Sequence, residues 1–193
     1  MPRVQVVHAS RHGGTAGIAE RIGEVLRAEG VEAVVARAGD RPDPSGFDAY
    51  VVGSGVYMGN WLKEGVEFLE RNQGTLASRP TWIFSSGPLR GSTAGTKGSP
   101  LEDALGPEEG PGSGGRKKVA ALVTAVRARD HHVFYGAFDP NDPPKAMAER
   151  FVRLLPAAKG VLPAGDFREW EVIAAWARTI ARELTTKVPV AVG

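Results

Sequence analysis

The sequence contains no cysteine. This absence excludes disulfide bonds, thiolate-ligated iron–sulfur clusters and zinc sites, and a cysteine nucleophile. A run of about 18 apolar residues, the length that spans a bilayer, is also missing. The chain begins with a strand-like segment and carries no signal-peptide pattern. We therefore expect a cytoplasmic protein, at most peripheral at the inner face of the cell membrane, in which any redox chemistry comes from a bound organic cofactor.

A strong excess of charge of one sign is missing as well. The chain carries 24 basic and 22 acidic residues, a formal net charge of +2. Its compact basic cluster at residues 116–118 is explained by the solvated start of a helix, so nucleic acid is not an expected partner. With 193 residues, 42% of them hydrophobic, the chain suffices for one core. We predict a single domain covering residues 1–193.

Strand-like and helical segments alternate along the chain. Five short apolar or β-branched segments begin near Val4, Val31, Asp48, Pro80 and His131, with helical patterns between them. This alternation predicts an α/β fold with a parallel sheet and helices on both faces. Residues 87–115 hold nine glycines and four prolines. We predict that they form a flexible insertion after the fourth strand.

A glycine-containing loop connects the first strand to the first helix. It consists of Ser10, Arg11, His12, Gly13, Gly14 and Thr15. A helix start leaves about four backbone N–H groups without helical partners and carries partial positive charge, so it binds anions. Two hydroxyls, two glycines and two potential cations therefore predict a phosphate site. The loop lacks both the GxGxxG spacing of dinucleotide folds and a Gly-Lys-Ser/Thr sequence, which favours a single terminal phosphate.

Two further loops are expected at the same edge of the sheet, where open α/β sheets bind their ligands. The loop after the third strand contains Ser54, Gly55, Val56, Tyr57, Met58 and Gly59. The loop after the fourth strand begins with Ser86 and Gly87. The pattern of ligand-binding residues at three neighbouring strand ends predicts one shared binding site.

The pattern Ser10-x-x-Gly13-x-Thr15 after a first strand resembles the phosphate loop of flavodoxins, which bind FMN. The second loop resembles the flavodoxin segment that places an aromatic ring against the isoalloxazine. Within this superfamily the chain is most similar to the menaquinone-dependent protoporphyrinogen oxidase family. This likeness lies in SRHGGT, FDAYVVGSGVYMGNW, HHVFYGAFDP and the tryptophans of the last helix. The chain has His12 and Gly14 where flavodoxins usually have threonine and asparagine.

The resemblance implies a doubly wound, flavodoxin-like sheet with the strand order 2-1-3-4-5 and a non-covalently bound FMN. All three loops would contact the cofactor, and Tyr57 would stack on the flavin. Protoporphyrinogen IX would be the substrate, with Arg90 near a propionate, and menaquinone would accept the electrons. Two alternatives stay open: an FMN electron carrier or quinone reductase with another partner, and a flavin-free interaction or regulatory module. No metal is implied.

Overall fold

A parallel β-sheet forms the centre of the fold. The computed structural model describes residues 1–57, 59–87, 114–138 and 165–186. The strands of the sheet are β1 (Arg3–Ala9), β2 (Glu32–Arg37), β3 (Ala49–Tyr57), β4 (Asn60–Trp61), β5 (Thr81–Ser86) and β6 (Asp130–Phe134). The parallel strands follow the order β2-β1-β3-β5-β6, and the two-residue β4 pairs antiparallel with β3. When β4 is left out and the parallel strands are numbered 1 to 5 along the chain, this order becomes 2-1-3-4-5. The predicted strand order is therefore confirmed.

Helices cover both faces of the sheet, as predicted. They are α1 (Gly14–Ala28), α2 (Lys63–Arg71), α3 (Gln73–Ala77), α4 (Gly114–Ala125) and α5 (Trp170–Thr186), with a 3-10 turn at Ala38–Asp40. Helices α1 and α5 pack in one core layer, and α2, α3 and α4 pack in the other. Within the described ranges, no helix is both long and apolar enough to cross a membrane.

Helix α1 shows why the sequence forms this structure. Ile18, Ile22 and Leu26 recur at a spacing of four residues and are fully buried against the sheet. Each such side chain contributes roughly 1.5–3 kcal/mol by leaving water. Gly30, with a φ of 79°, follows the helix and adopts the left-handed conformation typical of a helix end. The helix start is thereby held at the carboxyl end of β1.

The segment predicted as the second loop is largely strand, which corrects the sequence interpretation. Strand β3 continues to Tyr57, the chain reverses near Gly59, and Asn60–Trp61 return as β4. Gly59 has a φ of 74°, so this reversal favours glycine. Val56 pairs with Trp61 and Tyr57 with Asn60, which makes a tight hairpin. Trp61 belongs to this hairpin as well.

The fifth predicted strand also differs from the structure. Strand β6 ends at Phe134, and β7 (Ala137–Phe138) pairs antiparallel with β8 (Gly165–Asp166) in a separate two-stranded ribbon. Gly114 and Gly115, predicted as part of the flexible insertion, lie in the first turn of α4. The remaining insertion residues 88–113, which include Arg90, lie outside the described residues, and so does Met58.

Candidate functional site

The first loop ends in a helix start that has no side-chain cap. Gly13 is the N-cap residue of α1, with a φ of 84°. Serine, threonine, asparagine or aspartate at an N-cap would use its side chain to bond the first N–H groups, and glycine cannot. The first turn of α1 also contains no acidic residue. Both features leave the positive end of the helix suited to an anionic ligand.

The first and second loops meet at Gly55. A Cβ atom on Gly55 would lie 3.0 Å from Thr15 Oγ1 and 3.0 Å from Tyr57 Cε2, closer than most Cβ contacts in proteins. Thr15 is buried, with 4% of its surface exposed. The absence of a side chain at Gly55 therefore leaves room for the hydroxyl of the first loop and the ring of the second loop beside the same backbone position.

Two side chains of the first loop lie against Tyr57. The guanidinium carbon of Arg11 is 4.6 Å from the centroid of the Tyr57 ring, a cation–π distance. The His12 ring centroid is 6.2 Å from that of Tyr57. The structure thus brings Arg11, His12, Thr15, Gly55 and Tyr57 together, although they come from two separate segments of the chain.

The third loop lies beside the second. Ser86 is the register partner of Gly55 across β3 and β5. The backbone N–H of Gly87 donates a hydrogen bond to the carbonyl oxygen of Phe134, 3.1 Å away, with a φ of 112° at Gly87. A Cβ atom on Gly87 would lie 3.5 Å from the carbonyl oxygen of Val56. The three predicted loops therefore occupy one edge of the sheet.

Ser54, predicted as a cofactor contact, has a different environment. Its side chain is fully buried, its hydroxyl donates to the Gly55 carbonyl oxygen at 3.0 Å, and it accepts a hydrogen bond from the Leu62 backbone N–H at 3.0 Å. Leu62 is the residue that precedes α2. Because both hydrogen bonds are internal, the Ser54 side chain connects the hairpin to α2. A contact of Ser54 with the cofactor stays a prediction.

A buried hydrogen-bonded chain supports the other side of the hairpin. The indole Nε1 of Trp61 donates to Ser85 Oγ at 2.8 Å, and this oxygen lies 2.9 Å from His131 Nε2. Because the indole can only donate, Ser85 Oγ accepts this bond and keeps its hydroxyl hydrogen for another partner, such as an unprotonated His131 Nε2. Burial lowers the pKa of His131 to about 4, an effect that Asp130 opposes and His132 reinforces.

One charged residue beside the first loop was missed from the sequence. Arg168 precedes α5, and its Nη1 donates to the carbonyl oxygen of Gly14 at 3.3 Å. The backbone of Ala137 in the ribbon lies close to Gly14, since a Cβ atom there would be 3.6 Å from Ala137 N. Gly14 and Arg168 are 154 positions apart in the sequence, which explains why no local pattern indicated this contact.

Arg168 is held by two further partners. Its Nε and Nη2 donate to the two carboxylate oxygens of Asp166, each at 2.7 Å, and its guanidinium carbon lies 4.4 Å from the centroid of the Trp170 ring. Hydrogen bonds from Arg168 hold the pKa of the Asp166 carboxyl below its usual range. This bidentate geometry fixes the orientation of the guanidinium.

A small cavity lies next to the first loop, on the side of β2. It has a volume of about 130 Å³, and its lining includes His8, Ser10, Arg11, Arg37 and Glu64. His8 Nδ1 is buried and has no hydrogen-bond partner among the described residues. Burial lowers the pKa of His8, with a further decrease from Arg37. In the described part of the chain, no cluster of three or more potential metal ligands occurs.

Solved structures with the same fold include several flavodoxins. A flavodoxin from the domain Archaea has a TM-score of 0.56 and 16% identity, over 95% of this chain and 99% of that chain. Flavodoxin 1 from Bacillus cereus has a TM-score of 0.55 and 13% identity, over 97% and 99%. The rubredoxin oxygen:oxidoreductase of Desulfovibrio gigas has a TM-score of 0.57 and 17% identity, and 97% of this chain matches 37% of that longer chain. These likenesses show the fold.

The sequence itself matches a family profile. The comparison with curated protein sequences found no match. The profile described as the flavodoxin domain matches residues 5–141, which include all three loops at the edge of the sheet. Because this match covers more than half of the chain, the protein belongs to the flavodoxin domain family.

Proposed function

We propose that this chain is an FMN-dependent redox protein that binds its cofactor non-covalently across the three loops. Membership of the flavodoxin domain family indicates FMN as the cofactor, as the sequence predicted. The observation that carries the choice of site is the junction at Gly55, where Thr15 and Tyr57 both lie against the same backbone position. One ligand with a phosphate at one end and an aromatic ring at the other would contact both loops.

The residues present fit the phosphate of FMN. The start of α1 has no side-chain cap and no carboxylate in its first turn, so an anion meets backbone N–H groups and the positive end of the helix. Gly13 allows the left-handed conformation at this turn without close contacts. The Thr15 hydroxyl would add a further donor. A phosphate bound here would be close to the cationic side chain of Arg11.

The residues of the second and third loops fit the flavin ring. Tyr57 offers an aromatic face on a hairpin whose base is fixed by hydrogen bonds to two buried serines. In the structure, the guanidinium of Arg11 covers one face of the Tyr57 ring. It would move away from this face if the flavin stacks there. Backbone groups at Gly55, Gly59 and Gly87 would lie near the ring. When bound, FMN supplies the redox chemistry, and the chain supplies orientation and electrostatics.

We propose protoporphyrinogen IX as the substrate and menaquinone as the electron acceptor. This choice rests on the resemblance of the SRHGGT, GSGVYMGNW and HHVFYGAFDP segments to the menaquinone-dependent protoporphyrinogen oxidase family. Such a reaction would place the protein in the cytoplasm with peripheral contact to the membrane, because the quinone dissolves in the lipid. An electron carrier with another partner is the second candidate, and it is favoured by the 99% coverage of small flavodoxins.

Two measurements test this function in sequence. Visible absorption of the purified protein after incubation with FMN should show bound flavin, and Tyr57→Leu should weaken binding more than Tyr57→Phe, which keeps the ring. A protein that binds no flavin would contradict both redox functions and favour the flavin-free module. With flavin bound, the protein should form protoporphyrin only when a menaquinone analogue is present. It should reduce the analogue only when protoporphyrinogen is present. Flavin reduction without porphyrinogen oxidation would favour the carrier.

A further inference from the structure

A cation is fixed beside the first turn of α1 by contacts from the far end of the chain. The guanidinium of Arg168 donates hydrogen bonds to the Gly14 carbonyl oxygen and to both carboxylate oxygens of Asp166. It also lies over the face of the Trp170 ring. Any side chain at Gly17, one turn into the helix, would collide with Arg168 Nη1. Helix α1 thus has room for this guanidinium only because glycine occupies that position.

This location is unfavourable for a cation in the absence of an anion. The start of a helix carries partial positive charge, which repels an arginine and attracts a carboxylate or phosphate. The first turn of α1 has no acidic residue. Asp166 neutralises Arg168 in part, but 45% of its side chain is exposed, so solvent screens it. Arg168 therefore adds positive charge beside a helix end that already attracts anions.

We propose that Arg168 is a specificity-determining residue that favours flavins carrying a terminal phosphate over the uncharged riboflavin. The inference rests on the proposed FMN site and extends it to a residue outside the three loops. Arg168 acts by adding positive charge beside the phosphate and by fixing the first turn of α1 through Gly14. Asp166 limits this charge and orients the guanidinium through the bidentate contact.

The dissociation constants of FMN and riboflavin test this role in the full-length protein. We compare the wild type with Arg168→Gln, Asp166→Asn and Arg178→Gln, at low and at high salt. Arg178 is the control because it is an arginine on α5 that also interacts with α1 but faces Glu29 at the opposite end of that helix, with 3.8 Å between Nε and Oε1. Removing one charge near the phosphate should weaken FMN binding by about five-fold in Arg168→Gln.

The expected pattern has three parts. Arg168→Gln weakens FMN binding without changing riboflavin binding, Asp166→Asn strengthens FMN binding because it releases the charge of Arg168, and Arg178→Gln changes neither. The difference between FMN and riboflavin should decrease at high salt, since salt screens the phosphate. Asp166→Asn leaves the charge of Arg168 unchanged, so it remains informative if Arg168→Gln folds poorly.

Three other outcomes would contradict the inference. Equal weakening of FMN and riboflavin in Arg168→Gln would indicate a purely structural role. Unchanged FMN binding in Arg168→Gln, or weaker FMN binding in Asp166→Asn, would show that the guanidinium charge does not act on the phosphate. A wild-type protein that binds no FMN would overturn the proposed function itself, which distinguishes the two failures.

Discussion

Trp61 donates a hydrogen bond from its indole Nε1 to Oγ of Ser85, 2.8 Å away on the neighbouring strand. Ser85 is the register partner of Ser54, and Ser54 in turn accepts the backbone N–H of Leu62. Two serines on neighbouring strands thus bond the consecutive residues Trp61 and Leu62, so the β3–β4 hairpin is fixed at its base. Tyr57 lies on the same hairpin, and its position beside Arg11 depends on these two hydrogen bonds.

Removing the Trp61 donor should destabilise the fold while preserving most of the packing. We expect Trp61→Phe to lower the free energy of unfolding by about 1–3 kcal/mol, because a buried acceptor loses its partner. Urea denaturation of Trp61→Phe, Ser85→Ala and the double variant measures the coupling between the two residues. A coupling energy of about 1 kcal/mol is expected for a direct hydrogen bond. Strictly additive effects would argue against it.

Acidification should destabilise the protein through His131. Its pKa in the folded protein is about 4, lowered mainly by burial, whereas an unfolded histidine titrates near 6.5. Between these values the unfolded chain binds more protons, so stability is complete above about pH 6.5 and decreases as the pH falls towards 4. The slope from this residue alone reaches about 1.4 kcal/mol per pH unit.

His131→Gln tests this origin, because glutamine can accept the Ser85 hydroxyl hydrogen and does not titrate. Denaturation at a series of pH values between 7 and 4 should give a weaker pH dependence than in the wild type. His132, whose pKa is also lowered by burial, and the acidic groups contribute to both proteins, so the difference between the curves isolates His131. Parallel curves would assign the acid sensitivity to those other groups.

The sequence predicted the parts of the fold that depend on local spacing. The apolar residues of β1 and the four-residue spacing of Ile18, Ile22 and Leu26 identify a strand and a helix by themselves. The extension of β3 was not predicted, because Ser54 and Gly55 have little intrinsic strand preference. Their strand conformation comes from pairing with Ser85 and Ser86 on β5, a contact between distant segments.

In the candidate site, too, the sequence predicts the residues that follow a local pattern and misses those that come from distant segments. Gly13 and Thr15 follow from the strand–loop–helix pattern, and the structure finds both at the start of α1. Arg168 and the ribbon residue Ala137 approach that helix from the other half of the chain, so no local signal marks them. Ser54 is predicted to contact the cofactor because it belongs to the loop at the carboxyl end of the third predicted strand. Its burial became apparent only with the position of Leu62.

Gly53 should be one of the positions in the sheet least tolerant of a side chain. It is the register partner of Phe84, whose ring lies so close that any Cβ atom would overlap it. We expect Gly53→Ala to lower the free energy of unfolding by about 1–3 kcal/mol through overpacking. Gly74→Ala is the control, because Gly74 lies in α3 with open space around it and alanine favours a helix. If thermal unfolding showed an equal decrease in stability for both variants, the packing argument would be refuted.

Gly13 and Gly30 lie before and after α1 and have nearly the same backbone conformation, with φ values of 84° and 79°. A Cβ atom would meet no close neighbour at either position, so alanine should cost roughly 1–2 kcal/mol of backbone strain in both. Only Gly13 lies in the proposed phosphate loop. Strain there moves the loop away from its binding conformation, and we expect Gly13→Ala to weaken FMN binding by about ten-fold.

Titration with FMN and with riboflavin separates this effect from general destabilisation. Gly30→Ala should match Gly13→Ala in stability and keep the FMN affinity of the wild type. Gly13→Asn should retain more affinity than Gly13→Ala, because asparagine tolerates the left-handed conformation better than alanine does. Riboflavin binding should change little in all three variants, since riboflavin has no phosphate to contact the helix start. If Gly30→Ala weakened FMN binding as much as Gly13→Ala, the anion would not be bound at the amino-terminal end of α1.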